Sequence, residues 1–358
     1  MTVHRIEKLR QRLVELQLDA IIVDSPYNRR YLSGFTGSAG TLLITVNEQY
    51  LLTDFRYRVQ SKQQAPSFTV VEYSSSAHDD VKQLLAKEQA KKVAFEQDQW
   101  SFAQYKKWEQ LLAEQVELVP TSSLIEDIRM IKDAEELKIL QEAAHLADKT
   151  FAHILNYIEV GVSELDIATE MEMFMRKNGA TSSSFDTIVA SGERSALPHG
   201  VASERILKNN EFVKLDFGAY YKGYCSDITR TVFLGQAPTE KHYEIYNIVL
   251  ESQLLALKNI KAGITGKQAD AFARDYITEK GYGDMFGHGT GHAIGLEIHE
   301  GPRLSKFSET VLTPGMVVTV EPGIYIPDFG GVRIEDDVVI TETGIQILTS
   351  STKELILL

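Results

Sequence analysis

The chain has 358 residues, 43% of them hydrophobic and 24% charged, which is enough apolar material for two domains at roughly 100–200 residues each. Its 37 basic and 50 acidic side chains leave a formal charge of −13, which argues against a nucleic-acid binder with a basic face and against attraction to anionic membranes. A single cysteine, Cys225, excludes an intrachain disulfide framework and a thiolate zinc site. No apolar run approaches the roughly 18 residues of a membrane helix, and the charged start His4-Arg5-Ile6-Glu7-Lys8 has no apolar signal core behind it. The expectation is a soluble cytoplasmic protein that binds neither nucleic acid nor membrane.

The first 125 residues alternate helix and strand patterns, as in an α/β layer. Ile6, Leu9, Leu13 and Leu16 share one helical face. Strand-like runs follow at 20–23, 41–46, 68–71 and 92–95, with helical stretches at 79–89 and 101–114. Gly34, Gly37 and Gly40 lie in a segment with neither a Gly-Lys-Ser/Thr ending nor Rossmann spacing, so it reads as turn chemistry. Near Thr121-Ser122-Ser123 the pattern breaks. Asp133-Ala134-Glu135-Glu136 then supplies acidic residues to the start of a long helix, where they suit the helix dipole. Leu137, Leu140, Ala144, Ala147 and Phe151 continue its apolar face. The expected domains are 1–125 and 126–358, with further helices in the second near 163–178, 239–260 and 266–280.

The residues that carry chemistry lie in the second half. Val213 to Asp227 reads as two strands around a turn at Tyr221-Lys222. A two-residue turn centred there sets Asp216 opposite Asp227, and directly opposed like charges destabilise a strand pair unless a cation lies between them. A slipped register, with both carboxylates solvated, is the alternative. Val318 to Tyr325 and Gly331 to Glu335 form a second hairpin, and pairing about Asp328 sets Glu321 against Glu335. Three of the nine histidines, His288, His292 and His299, fall within twelve residues. Gly289 and Gly291 make a helix there poor and suggest a loop or strand packed closely against other backbone. Four carboxylates and a histidine, with no thiolate, suit hard or borderline divalent metals such as Mn²⁺, Co²⁺, Fe²⁺ or Zn²⁺. Four negative charges balance two divalent ions, which points to a two-metal hydrolase. Cys225, near this cluster, reads as a small packing residue rather than a ligand.

Taken together, Leu215-Asp216-Phe217-Gly218, Ser226-Asp227-Ile228-Thr229-Arg230-Thr231, the stretch from His288 to Pro302, Glu321-Pro322-Gly323-Ile324-Tyr325 and Gly331-Val332-Arg333-Ile334-Glu335-Asp336 resemble the pita-bread metallopeptidases. That group contains aminopeptidase P, prolidase and methionine aminopeptidase. In the first half, Tyr31-Leu32-Ser33-Gly34-Phe35 and Thr53-Asp54-Phe55-Arg56-Tyr57 resemble the N-terminal domain of its proline-specific members. The fold implied is α/β (α+β): a creatinase/prolidase-like N-terminal domain, then a pita-bread domain with a curved antiparallel sheet.

The resemblance implies that Asp216 chelates one metal, Asp227 and Glu335 bridge two, and His292 and Glu321 complete the other. His292 is chosen over His288 because it begins the family arrangement His-x-x-Gly-x-x-x-His-Glu, here His292 to Glu300. His299 and His199 resemble the substrate-contacting histidines, and Glu321 the proton shuttle. His288 and Arg333 would orient the ligands, and Tyr325, one helical-turn length past Glu321, is a candidate for the wall of the site. The implied cofactor is two divalent ions per subunit, with Mn²⁺ the family choice, and the implied assembly is a homodimer. The implied reaction is attack by a metal-bridging hydroxide on an N-terminal Xaa-Pro bond, in peptides with proline second.

The motifs leave substrate length open between an Xaa-Pro aminopeptidase, slightly preferred, and a dipeptidase in which Arg303 clamps the proline carboxylate. Creatinase-like hydrolases do not keep the ligand set. A non-catalytic binding protein on the same fold is the remaining rival, and would hold no stoichiometric metal.

Overall fold

A computed structural model describes residues 2–358. They form two compact units, the first ending at Arg129 and the second beginning at Met130. The break follows the short helix Glu126–Arg129, a few residues beyond the expected boundary at 125.

In the first unit a six-stranded sheet runs in the order Thr69–Glu72, Gln49–Thr53, Thr41–Thr45, Ala20–Val23, Lys92–Glu96, Glu117–Thr121. Its three central strands pair antiparallel and the outer pairings are parallel. Ala20–Val23 is wholly buried, as an uninterrupted apolar run requires. Two strands escape the sequence pattern. Gln49–Thr53 follows a tight connection from its neighbour, and Glu117–Thr121 is a half-exposed edge strand that tolerates Pro120. The first helix ends at Glu15, and Gln17 takes a positive φ of 56°, so Leu16 is exposed rather than continuing the apolar face. Gly34 closes the helix Pro26–Ser33 in the left-handed conformation, which confirms a turn there.

The second unit is built from two similar halves, each a helix pair laid on antiparallel strands. Ala134–Ile154 and Glu164–Lys177 pack through Phe151 and Met171 onto Leu215, Phe217 and Val232 of the sheet formed by Ile188–Ser191, Glu211–Phe217 and Ile228–Leu234. Glu240–Asn259 and Gly266–Glu279 pack through Ala256 and Ala273 onto Val318 and Val338 of a five-stranded sheet. All four helices begin with a capping box, at Asp133/Glu136, Ser163/Asp166, Thr239/His242 and Thr265/Gln268, which satisfies backbone donors that the helix cannot.

Glycine is required where the five-stranded sheet approaches the histidine segment. Gly291–Ala293 is a strand, and a Cβ on Gly291 would lie 2.0 Å from the Thr319 carbonyl oxygen. Gly287, by contrast, is exposed and a Cβ there meets nothing within 4 Å. Gly291→Ala is therefore expected to cost at least about 1–3 kcal/mol, whereas Gly287→Ala stays within roughly 0.5 kcal/mol of the parent. Urea denaturation of both variants checks this, and equal midpoints would contradict it.

Candidate metal centre

The first hairpin does not pair as the sequence suggested. Its tip is Lys222-Gly223, both with positive φ (49° and 86°), the conformation a two-residue hairpin turn demands. The turn is thus centred one residue later than expected, and Asp216 opposes Thr229 rather than Asp227. Asp227 stands two residues before Thr229, so it projects from the same face as Asp216, diagonally across the ladder. The ladder is interrupted at Gly218, where a Cβ would lie 1.7 Å from the Ser226 carbonyl oxygen. This crossing frees the Asp227 N–H, which donates to Asp337 Oδ2 at 2.9 Å. Cys225 opposes Tyr220 and is buried, with its thiol pushed up to about 12 by burial, consistent with a packing role.

The second hairpin pairs as its sequence implied. One register runs from Val317 opposite Val339 to Val320 opposite Asp336, and again from Gly323 opposite Arg333 to Ile326 opposite Gly330. Glu321 and Glu335 face each other at the gap between these ladders. Pro322 has no N–H to donate, and only its carbonyl is used, by Ile334 N–H at 3.5 Å. Tyr325 lies on the strand Gly323–Ile326, so its four-residue spacing from Glu321 is a strand spacing and not a helical turn.

These pairings gather the acids. One carboxylate oxygen from each of Asp216, Asp227 and Glu335 lies within 4.8 Å of the others, and all three residues are buried. Glu335 receives the Thr229 hydroxyl at 2.6 Å, while its Oε1 and Asp227 Oδ1 are buried with no hydrogen-bond partner. Burial, reinforced by the neighbouring carboxylates, pushes Asp227 and Glu335 well above the usual carboxylate range. Burial raises Glu321 to about 7 even though Arg333 is near.

His292 completes the cluster, with Nε2 3.6 Å from Asp227 Oδ2 and 3.5 Å from Glu321 Oε1. Its Nδ1 is 3.2 Å from the Ala293 carbonyl oxygen, so Nδ1 carries the proton and Nε2 presents a lone pair. Burial, then His299, holds its pKa down to about 3, so the imidazole is neutral. A lone pair and carboxylate oxygens turned on one another without a donor repel. Orphaned buried oxygens, an oxygen-rich donor set and a neutral imidazole together fit divalent cations.

Around this cluster runs a chain of oriented donors. Arg333 donates to Asp216 Oδ2, to the Thr229 hydroxyl at 3.1 Å and to the Tyr325 hydroxyl at 2.6 Å. Tyr325 meets His288 Nε2 at 2.7 Å, and His288 Nδ1 lies 2.8 Å from the Gly289 carbonyl oxygen. His288 is therefore turned onto Tyr325 rather than onto the acids. The Glu321 N–H donates to the Thr290 carbonyl at 2.7 Å, and the Thr319 hydroxyl to Glu321 Oε1 at 3.3 Å. Asp337, Thr229, Thr290 and Thr319 were not singled out in the sequence. Asp337 and Thr229 flank the acids in their motifs, but only the folded ladder shows what they hold.

The cluster opens into a cavity of about 590 Å³, also lined by His199, His299 and Arg303. These three residues are exposed, and Arg303 opposes His292 across the strand pair. Among the described residues, none hydrogen-bonds to the imidazoles of His199 or His299 or to the Arg303 guanidinium. Partial loss of solvent around its ring, with Arg303 and His199 nearby, keeps His299 below the ordinary histidine range.

The buried cluster fixes a pH signature of the metal-free protein. Below pH 6.5 two effects oppose each other. The raised carboxylates lose stability as pH rises, whereas His288 and His292, held to about 3, gain it until unfolded histidines deprotonate near 6.5. Above 6.5 Glu321, raised to about 7, still holds part of a proton that the unfolded chain has released, so stability falls as pH rises through 7. Divalent metal bound by the same carboxylates is expected to displace the proton and flatten this limb. Thermal melts of chelator-treated protein from pH 6.5 to about 8.5, with and without Mn²⁺, test it, and parallel profiles would contradict it.

With this geometry in view, comparison with known proteins is specific. The metallopeptidase family M24 model matches residues 138–342, and the creatinase/prolidase N-terminal domain model matches residues 5–131. A relative from Pyrococcus furiosus, an Xaa-Pro dipeptidase, is 40% identical over 98% of this chain and 99% of its own. The structure of an Xaa-Pro dipeptidase from Bacillus anthracis is 53% identical, covers 100% of both chains and superposes with a TM-score of 0.98. That of an X-Pro aminopeptidase from Thermotoga maritima is 40% identical, covers 99% of each and gives 0.91. The fold is thus a creatinase-like N-terminal domain followed by a pita-bread domain, and the chain belongs to metallopeptidase family M24.

Proposed function

We propose that this metallopeptidase hydrolyses the bond between a first residue and a following proline, with Xaa-Pro dipeptides as its preferred substrates. The observation that carries the dipeptide preference is the guanidinium of Arg303, which has no partner among the described residues and lines the same cavity as the acids. A dipeptide ends in a carboxylate within reach of the cleaved bond, and a free guanidinium suits it as a charge-assisted partner. The printed activities of the relatives from Pyrococcus furiosus and Bacillus anthracis support this reading. The Thermotoga maritima aminopeptidase keeps the longer-peptide reading as the second one.

In this reading Asp216, Asp227, His292, Glu321 and Glu335 would hold two divalent ions, with Asp227 and Glu335, whose buried oxygens lack a protein partner, shared between them. The count follows from charge, four carboxylates against two dications, and Mn²⁺ is the proposed metal, with Co²⁺, Fe²⁺ and Zn²⁺ as alternatives. Such ions, when bound, polarise a carbonyl and make water nucleophilic near neutral pH. The chain's own groups do the rest. The imidazoles of His199 and His299, free toward the cavity, hydrogen-bond the substrate amide. Glu321 takes a proton at a carboxylate oxygen and returns it to the proline nitrogen, which must leave as a secondary amine. Arg333, Tyr325 and His288 hold Asp216 and the cavity wall in place. We extend the reading to a cytoplasmic homodimer, supported by the family likeness and by the buried, unpaired Cys225. Among the described residues no helix is long and apolar enough to cross a membrane.

Mn²⁺-loaded protein given equal Ala-Pro and Ala-Pro-Ala, followed by mass spectrometry, is expected to consume Ala-Pro first. Arg303→Ala should raise KM for Ala-Pro roughly ten- to a hundredfold and leave Ala-Pro-Ala little changed. Equal consumption of both peptides by the parent protein would favour the aminopeptidase and reduce Arg303 to a surface residue.

A further inference from the structure

The interior of the second unit contains a lysine that no step so far uses. Lys214 sits in the middle of the strand Glu211–Phe217 with 0% of its surface exposed. Among the described residues its ammonium has no carboxylate partner. It instead donates to three carbonyls of one turn: Leu197 at 2.6 Å, Ser195 at 3.1 Å and Pro198 at 3.5 Å. It also lies 5.0 Å above the Tyr325 ring. Those three carbonyls and the face of the ring offset part of the cost of burying the group, and in return the carbonyls are held in place.

The segment it holds leads directly into His199. Arg333 adds a second grip, donating to the Pro198 carbonyl at 3.1 Å. The third comes from the strand Gly330–Arg333. Gly331 N–H donates to Ser195 Oγ at 2.8 Å, and a Cβ on Gly331 would lie 2.5 Å from the Ser195 carbonyl oxygen, so only glycine lets the turn lie this close. The His199 imidazole has no hydrogen bond of its own among the described residues, and its place at the cavity therefore comes from the backbone of the turn.

We propose that Lys214 is the positioning residue for His199: its Nζ, by binding the Ser195, Leu197 and Pro198 carbonyls, sets the turn that carries the imidazole to the substrate amide. The proposal rests on the role given to His199 above, and the test separates the two. Lys214→Met keeps the length and loses the donors, Lys214→Gln keeps an amide donor, and His199→Ala removes the ring. In Lys214→Met we expect unchanged metal content and a cooperative melt. We expect kcat for Ala-Pro to fall on the order of a hundredfold, the scale of an ångström-sized misplacement. KM should change little. The double variant Lys214→Met/His199→Ala should be no slower than His199→Ala alone. Lys214→Gln should recover part of the loss, and it stands in for Lys214→Met if that variant does not fold. Hydrogen exchange should quicken at the amides of Leu197, Gly200 and Val201, which are bonded within the turn.

Multiplicative losses in the double variant, or unchanged exchange at those amides, would overturn the proposal. If His199→Ala alone keeps full turnover, the role of His199 fails, and the exchange measurement still decides whether Lys214 holds the turn.

Discussion

Four carboxylates, three of them buried and Glu321 partly so, cannot share one site in water-poor surroundings without a compensating charge, and the second unit is organised around that constraint. Asp216, Asp227, Glu321 and Glu335 converge with the neutral imidazole of His292, and among the described residues Arg333 is the one buried cation paired into the group. One guanidinium against four carboxylates leaves a deficit, visible as orphaned oxygens on Asp227 and Glu335 and as carboxyl groups pushed above their ordinary range. Protons can fill that deficit, at the cost of ligand character. The two dications proposed above would fill it while keeping every carboxylate ionised, and would make metal binding and the stability of the folded unit a single linked equilibrium.

The backbone brings these groups together by breaking its ladders at chosen points. In one hairpin Gly218 and Ser226 cross so closely that the strand pair stops, and Asp227 is held by Asp337 rather than by a ladder partner. In the other, Pro322 removes a donor between two ladders in the same register, which leaves Glu321 and Glu335 facing across the gap. The Glu335 N–H then donates to the Thr229 carbonyl at 3.1 Å, tying the two hairpins together. Asp216 and His292 thus sit on strands, and Asp227, Glu321 and Glu335 at the breaks between strands, while His199, His299 and Arg303 are exposed at the cavity, with no hydrogen bond to their side chains among the described residues. Fixed ligands and a freer substrate wall serve different needs: a metal site is sensitive to small displacements, whereas a peptide brings its own hydrogen bonds.

Much of this was legible in the sequence because the chemistry is concentrated in short motifs. The four acids and His292 could be named, and the second hairpin could be registered, since Asp328 and Gly330 mark its loop without ambiguity. The first hairpin misled because either Tyr221-Lys222 or Lys222-Gly223 could form its turn, and the positive φ of Lys222 is a property of the folded chain. Asp216 and Asp227 still share a face, since the shift leaves them diagonal. The support residues were illegible for a different reason. Lys214, Thr229 and Asp337 look like ordinary strand positions, and their importance depends on partners more than ten residues away. Edge strands such as Glu117–Thr121 were hidden because a half-exposed, proline-containing segment lacks the apolar pattern by which strands are read.

The central claim is that these five side chains form a two-metal centre. Calorimetric titration of Mn²⁺ into chelator-treated protein tests it most directly, with Asp227→Asn and Glu335→Gln measured alongside. The account predicts two equivalents per chain for the parent and weakened uptake of both ions in each variant, because each removes a carboxylate proposed to span the pair. One equivalent or none in the folded parent, or variants that bind as the parent does, would contradict it.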